Sequence, residues 1–181
     1  RVRFVGDPVA AVAAIDEETA ERALDLVEVE YAPLAPVMTM RDALDETLCL
    51  APIHDYADHH NVHNFVSLEF GDLEAGFKSA DYIREDIFFY EGNTHLPMEE
   101  HSCIGHFSFD GKLTLYSSTQ TPHYVHRALE KTLQVPRAHI RVIAAPVGGG
   151  FGGKTDPFSH EIVACKLSML TGRPVKITLT R

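Results

Sequence analysis

Apolar positions in the first 31 residues fall into short runs set apart by turn and helix signals. They read VRFV, a Gly6-Asp7-Pro8 turn, VAAVAAI, then Asp16 as an N-cap for EETAERALDLV, and finally VEVEY. Acidic residues in the first turn of that helix suit its dipole, and Ala20, Ala23, Leu24 and Val27 share one apolar face. The pattern predicts a small β-β-α-β unit. From Ala32 to Asn64 the period is lost among Pro, Asp, His and short apolar pieces, and only TMRDAL suggests a helical turn, so this stretch reads as a connector. Periodicity then returns. NFVSLEF predicts a strand, GDLEAGF a short helix, DYIREDIFFYEG a long strand, and HSCIGHFSF with KLTLYSS a hairpin around Asp110-Gly111, so a second unit starts near Val62.

The last third changes rhythm. Pro122 opens a helix with Val125, Ala128, Leu129, Thr132 and Leu133 on one face, and HIRVIAA follows as a strand. Pro157 opens another helix whose apolar face is read as Ile162, Val163, Lys166, Met169 and Leu170, capped by Gly172 before VKITLT. Two crossover units therefore flank the glycine-rich stretch between them. The fold class expected is α+β: the end of a small domain over 1–45, a linker over 46–64, and part of a larger α+β domain with crossover helices over 65–181. No internal repeat or low-complexity segment is present.

Composition narrows the partners. With 181 residues, 45% hydrophobic and 23% charged, the chain can build a packed core, and 26 acidic against 16 basic residues give a formal charge of -10. That charge disfavours nucleic acid and anionic membrane surfaces. Cys49, Cys103 and Cys165 form no C-x-x-C pair, which excludes a zinc ribbon or an iron-sulfur cluster on this chain and fits a reducing cytoplasm. No apolar run approaches the roughly 20 residues of a membrane span, and no basic-then-apolar leader is visible. The chain opens at Arg1 inside an expected strand and stops at Arg181 as another ends, the pattern expected of an excerpt from a longer polypeptide.

Val147 to Thr155 reads VGGGFGGKT and satisfies two expressions at once. Gly148, Gly153, Lys154 and Thr155 fit the phosphate loop G-x-x-x-x-G-K-[ST]; Gly148, Gly150 and Gly153 fit the dinucleotide pattern G-x-G-x-x-G. Context opposes both. Pro157 pushes the following helix start beyond the phosphate-loop frame, and the only later strand ends in arginine where magnesium chemistry wants an acid. The dinucleotide pattern wants Asp or Glu about 20 residues on, where Gly172, Arg173 and Pro174 stand. What the two expressions share is physical: consecutive glycines between strand and helix present bare N–H groups and let a bulky ligand approach the backbone. A plain strand-to-helix connection would not need so many, because each glycine costs roughly 0.5–1 kcal/mol of folding entropy relative to alanine.

Other constellations are weaker. His160-Glu161 begins an H-E-x-x-H pattern that Ala164 breaks, leaving Glu161 as an ordinary early-helix acid. HDYADHHNVH gathers His54, His59, His60, His63, Asp55 and Asp58 without a defined ligand spacing, and reads as a polar linker or, less economically, a metal site. In HLPMEEHSC, alternation puts Glu99, His101 and Cys103 on one face, a pocket wall or simple surface charge. In SSTQTP, Gln120 stands at a strand end before a helix N-terminus, placed to donate to an anion, while Thr121 is a natural N-cap.

Taken in order, these segments resemble the large molybdenum-binding subunit of the xanthine oxidase family of molybdenum hydroxylases. RFVGDPVA with EVEYAPLAPV is similar to the end of that family's αβ hammerhead domain; PME, STQTP and GGGFGGK are similar to successive signatures of its first molybdopterin-binding domain. The resemblance implies that Gln120 hydrogen-bonds an oxo ligand on molybdenum. It also implies that Gly148, Gly149, Gly150 and Phe151 contact the cofactor through backbone N–H groups, that no residue here ligates the metal directly, and that Glu99 and Phe151 lie near the substrate. It assigns Lys154 no role. The catalytic base, a glutamate, is expected downstream of this chain. Implied cofactors are molybdenum with molybdopterin, in the cytosine dinucleotide form, with [2Fe-2S], FAD and a possible [4Fe-4S] on an iron-sulfur subunit and an FAD subunit, in a dimer of heterotrimers. Thr155 replaces a glutamate typical of purine oxidisers. EGNTHLPMEEH with KTDPFSHE looks most like 4-hydroxybenzoyl-CoA reductases, which remove a phenolic hydroxyl reductively from an aromatic acyl-CoA. A hydroxylase of an aldehyde or N-heterocycle is the alternative, and a P-loop nucleotide-binding module the alternative of another class.

Overall fold

The structure is a computed structural model that describes residues 1–45, 47, 52–54 and 60–180. It divides into two compact units, Arg1–Asp7 with Glu28–Glu91 and Pro8–Val27 with Gly92–Arg181. Three short helices form where local capping signals stand. In α1 (Glu17–Leu24) the Asp16 carboxylate accepts from the Thr19 N–H at 2.8 Å. In α2 (Met40–Leu44) Thr39 Oγ1 accepts from Asp42 N–H at 3.1 Å, and in α3 (Leu73–Ser79) Asp72 Oδ1 accepts from Ala75 N–H at 2.9 Å. Each side-chain oxygen satisfies one of the orphan donors of a first turn.

The expected strands VRFV, VAAVAAI, VEVEY, NFVSLEF and DYIREDIFFYEG carry no ladder among the described residues. A helix completes its hydrogen bonds within itself, whereas a strand needs a partner backbone, and these segments have none. Their apolar side chains stand open: every residue from Ile87 to Tyr90 is at least 83% exposed. Helix α1 likewise buries none of its residues, so its expected apolar face is uncovered. The histidine cluster falls partly outside the described residues, since Asp55, Asp58 and His59 are among those omitted, as is Cys49. No group of three or more metal-ligating side chains that could hold an ion occurs among the described residues.

The second unit holds the sheet. Strands β1 (Ser102–Phe107) and β2 (Leu113–Ser117) pair antiparallel with Phe107 opposite Leu113. The predicted Asp110-Gly111 turn joins them, with Gly111 at φ 80° and Ser108 N–H donating to Lys112 O at 2.9 Å. Helix α4 (Pro122–Leu133) connects β2 to β3 (Ile140–Ala144), its parallel neighbour, and α5 (Ser159–Thr171) connects β3 to β4 (Val175–Thr178), which pairs antiparallel with β1. The sheet order is β3-β2-β1-β4. Both helices therefore join strands of the same direction, as the two expected crossovers require, and the glycine stretch lies between β3 and α5.

The core joins Leu113 and Leu115 of β2, Val125 and Leu129 of α4, and Ala164 and Cys165 of α5. Here α5 departs from expectation twice. It starts at Ser159 rather than at Pro157, and its buried face is His160, Glu161, Ala164, Cys165 and Ser168, whereas Leu170 is 70% exposed and Lys166 is exposed. The cause is Gly105 of β1: a Cβ there would lie 2.8 Å from the carbonyl carbon of Ala164 and 2.8 Å from the nitrogen of Cys165. Backbone so close to backbone admits only small side chains on the facing row, and of the bulkier expected row Ile162 and Met169 pack half-buried at the margin of the core. Ser168 Oγ completes the contact by accepting from Phe107 N–H at 2.8 Å and donating to Arg173 O at 2.7 Å. Gly105→Ala is therefore expected to destabilise the folded chain by about 1–3 kcal/mol through overpacking, read as a lower urea midpoint; an unchanged midpoint would refute the close approach.

Candidate functional site

The segment 147–155 does not hang free. Glu99 Oε2 accepts from the Gly148 N–H, and Gln120 Oε1 accepts from Gly152 N–H at 3.2 Å and Lys154 N–H at 3.3 Å. His101 Nε2 bonds to Gly153 O at 2.9 Å, which requires the ring to carry its proton there because a carbonyl only accepts. Two segments, one before β1 and one after β2, thus clamp the stretch from outside. Its glycines are needed for that clamp. A Cβ on Gly148 would lie 2.8 Å from Glu99 Cβ, one on Gly150 would lie 2.7 Å from Gln120 Cδ, and one on Gly153 would lie 2.9 Å from the His95 ring. The close approach read from the sequence is in these three cases an approach to the protein's own side chains.

Lys154, to which the resemblance assigns no role, is 1% exposed. Its ammonium donates to Ser118 Oγ at 2.7 Å, to Glu99 O at 3.0 Å and to Glu99 Oε1 at 3.2 Å. Three protons meet three acceptors, so the buried cation is fully coordinated. The Ser118 hydroxyl donates its own hydrogen bond to Glu99 Oε1. That hydroxyl first, against the opposing effect of burial, and then the Gly148 N–H and Lys154 hold the Glu99 carboxyl below its usual range. Lys154 O in turn accepts from Gln120 N–H at 2.9 Å and Thr119 Oγ1 at 3.4 Å. A phosphate-loop lysine must present its ammonium to the anion; this one is turned into the protein and consumed there.

Beneath the stretch lies an aromatic and ionisable floor. His101 meets Phe158 edge-on at 5.0 Å and His160 edge-on at 5.9 Å between ring centroids. Glu161, expected to be an ordinary early-helix acid, does stand in the first turn of α5 but is 2% exposed; it accepts from Ser117 Oγ at 2.6 Å and from Phe158 N–H at 3.0 Å, closing that turn. Burial raises its carboxyl above the usual range despite those two bonds. Thr121 precedes α4 without capping it, because its hydroxyl donates to Thr155 O instead. Burial pushes the Cys103 and Cys165 thiols up to about 12, which makes them inert packing groups.

A set of donors along the stretch and beside it is left over. The N–H groups of Gly149, Gly150 and Phe151 donate to no group among the described residues, and Gly150 is itself buried. Gln120 is exposed; with its oxygen fixed by two N–H donors, its Nε2 amino group points away with no acceptor among the described residues. Phe151 sits at φ 51°, a strained conformation for a side-chain-bearing residue, and is 73% exposed. Such a set of preorganised donors beside an exposed ring fits an oxygen-rich, anionic ligand with a planar part. Of the loop residues expected to hold a cofactor, Gly149, Gly150 and Phe151 keep a donor for it. The Gly148 N–H does not, being committed to Glu99, and the Glu99 carboxylate is itself occupied by Gly148, Ser118 and Lys154 rather than open to a substrate.

His160 supplies a pH test of the floor. It is 5% exposed, its Nδ1 has no hydrogen-bond partner among the described residues, and burial, with His101 adding repulsion, lowers its pKa to about 4. The unfolded chain therefore takes up a proton near pH 6.5 that the folded chain refuses until about 4, so stability is lost as pH is lowered through that window, by up to roughly 3 kcal/mol. His160→Phe keeps a ring in the slot and removes the titrating group; its urea midpoint is expected to vary less than the native one between pH 6.5 and 4, and an equal slope for both would discard this account.

Comparison with known proteins shows the family. The sequence profile of the molybdopterin cofactor-binding domain matches residues 53–181, and that of the aldehyde oxidase and xanthine dehydrogenase a/b hammerhead domain matches residues 1–35. The chain is 36% identical over its whole length to the nicotinate dehydrogenase large molybdopterin subunit of Eubacterium barkeri, spanning 41% of that subunit. It is 37% identical over 99% of its length to the xanthine dehydrogenase molybdenum-binding subunit of Escherichia coli O157:H7, spanning 23% of it. Among solved structures, quinoline 2-oxidoreductase from Pseudomonas putida 86 superposes with a TM-score of 0.79 at 28% identity, covering 92% of this chain and 21% of that one. On these matches the chain belongs to the xanthine oxidase family, as a part of its molybdenum-binding large subunit that carries the molybdopterin cofactor-binding domain.

Proposed function

We propose that this chain supplies one wall of the molybdenum site in a molybdopterin-dependent oxidoreductase. The unpartnered donors of Gly149, Gly150, Phe151 and Gln120 Nε2 would hold the cofactor's oxygen acceptors. The observation that carries the reading is the orientation of Gln120: its oxygen is taken up by Gly152 and Lys154, so only its amino group is left to meet a ligand. Bound there, the molybdenum group supplies two-electron redox chemistry with water as the source or sink of the substrate's oxygen. The chain's own part is to fix donors where negative charge collects, to leave Phe151 facing the substrate side, and to keep Lys154 and Glu99 out of the reaction by pairing them. The ordinary proton-moving base is sought in the rest of the subunit.

The substrate class favoured is an N-heterocycle or aldehyde, supported by the nicotinate dehydrogenase and quinoline 2-oxidoreductase relatives. The alternative, reductive dehydroxylation of 4-hydroxybenzoyl-CoA, rests on EGNTHLPMEEH and KTDPFSHE. In the structure those segments meet through His101, Phe158 and His160, so their likeness reflects packing under the loop as much as substrate choice. A xanthine dehydrogenase subunit is also among the relatives, so purines belong in the same substrate screen despite Thr155. Relatives named as subunits support a multi-chain enzyme, with iron-sulfur and FAD chains as the expected electron partners and the cytosine dinucleotide as the expected form of the pterin. The free buried thiols Cys103 and Cys165 suit a cytoplasmic setting. The division into 1–45, 46–64 and 65–181 stays a proposal, since the gap between the two matched regions, 1–35 and 53–181, overlaps its linker only in part.

Gln120→Glu tests the reading with little change of shape. A carboxylate still accepts from Gly152 and Lys154 but turns an acceptor, not a donor, toward the ligand. In the full-length subunit with its partner chains, the native urea midpoint is expected to persist while turnover per chain falls by about a hundred-fold or molybdenum content collapses. Native turnover together with native molybdenum content would end the proposal.

A further inference from the structure

Lys154 is the one fully buried cation among the described residues, and nothing in the loop's expected chemistry uses it. We propose that Lys154 is a positioning residue: by drawing Glu99 and Ser118 onto one ammonium it sets the carboxylate that holds the Gly148 N–H, and so aims the donors of Gly149, Gly150 and Phe151. The proposal rests on the reading of those donors as a cofactor cradle.

Three observations converge on it. First, every acceptor of the ammonium belongs to a wall of the loop: the Glu99 peptide and carboxylate come from the segment before β1, and Ser118 follows β2. Second, the same residue closes the loop through its main chain, donating to Gln120 Oε1 and accepting from Gln120 N–H. Side chain and backbone of one residue therefore fix both ends of the donor set, Gly148 at one side and Gln120 at the other. Third, Glu99 is the only described group that accepts from Gly148, and its side chain is 32% exposed while that of Lys154 is 0% exposed. Without the cation a partly solvated carboxylate would swing toward water, taking the Gly148 contact with it. An arginine could not substitute, because a planar fork does not converge on three acceptors arranged around a point.

The alternative is that the lysine stem merely fills space. A charge-specific cycle separates the two in the full-length assembly, read by hydrogen-deuterium exchange of the peptide covering 146–155 against the β2 peptide as internal reference, and by pterin and molybdenum content per chain. Lys154→Met keeps the stem's length and is expected to speed exchange in 146–155 by at least about ten-fold with β2 unchanged, and to lower pterin content about ten-fold. Adding Glu99→Gln removes the orphaned carboxylate while keeping an oxygen for Gly148, and is expected to bring exchange back to within about three-fold of native. If Lys154→Met does not fold, Lys154→Gln takes its place in the same cycle. Additive losses in the double variant, native exchange in the single one, or a loosened loop with native pterin content would each overturn the proposal. Exchange needs no cofactor. A subunit whose native form holds no pterin would sink the cradle reading and the aim of the latch toward it, while the exchange cycle would still report whether the latch itself exists.

Discussion

A charge cannot be left alone inside a protein, and the arrangement of this site follows from one that is not. The Lys154 ammonium is shut away from water, so its three protons must find oxygen, and they find it on Glu99 and Ser118. That demand fixes the chain before β1 against the chain after β2. Glu99, held there, still has an oxygen for Gly148; Gln120, two residues past Ser118, reaches Gly152 and Lys154. The glycine stretch is thus shaped by its neighbours and not by its own flexibility. Its donors are left over where no neighbour reaches them.

The resulting arrangement shares with a phosphate loop the feature that made the two look alike in sequence, a run of bare N–H groups between a strand and a helix. It differs in where positive charge is kept. A phosphate loop offers its lysine to the ligand; here the lysine serves the frame, and the proposed ligand would meet the neutral donors of the stretch. Neutral donors suit a partner whose charge changes during a redox cycle, because they stabilise it without the long-range pull of a fixed cation.

Local features were legible in the sequence, and non-local ones only in part, chiefly where a crossover helix joins two strands. Helices α1 to α5, the Asp110-Gly111 hairpin and the Gly172 cap depend on residues within a few positions of one another, and capping or turn chemistry names them. The strands read at Phe4, Phe65 and Phe88 depend on partner backbones, which no alternation of apolar residues can supply. The face of α5 was misread because spacing favoured the larger apolar row, whereas Gly105 selected the smaller one. In the site, Gln120 and the glycines could be picked out by type and position. Lys154 and Glu161 could not, because whether a charged side chain points in or out is decided by the segments that fold over it, and those lie 36 to 55 residues away.

The two bonds that Gln120 accepts have a further effect. An amide is a conjugated group: electron density drawn toward its oxygen is drawn from its nitrogen, so each hydrogen bond received at Oε1 makes the Nε2 protons more acidic donors. Gly152 and Lys154 thereby act at a distance on whatever Gln120 touches, strengthening a contact in which neither takes part. The side chain transmits polarisation from the loop's backbone to its exposed face, and a substitution in the loop that weakened those two bonds would be felt by the ligand with no change in its own contacts.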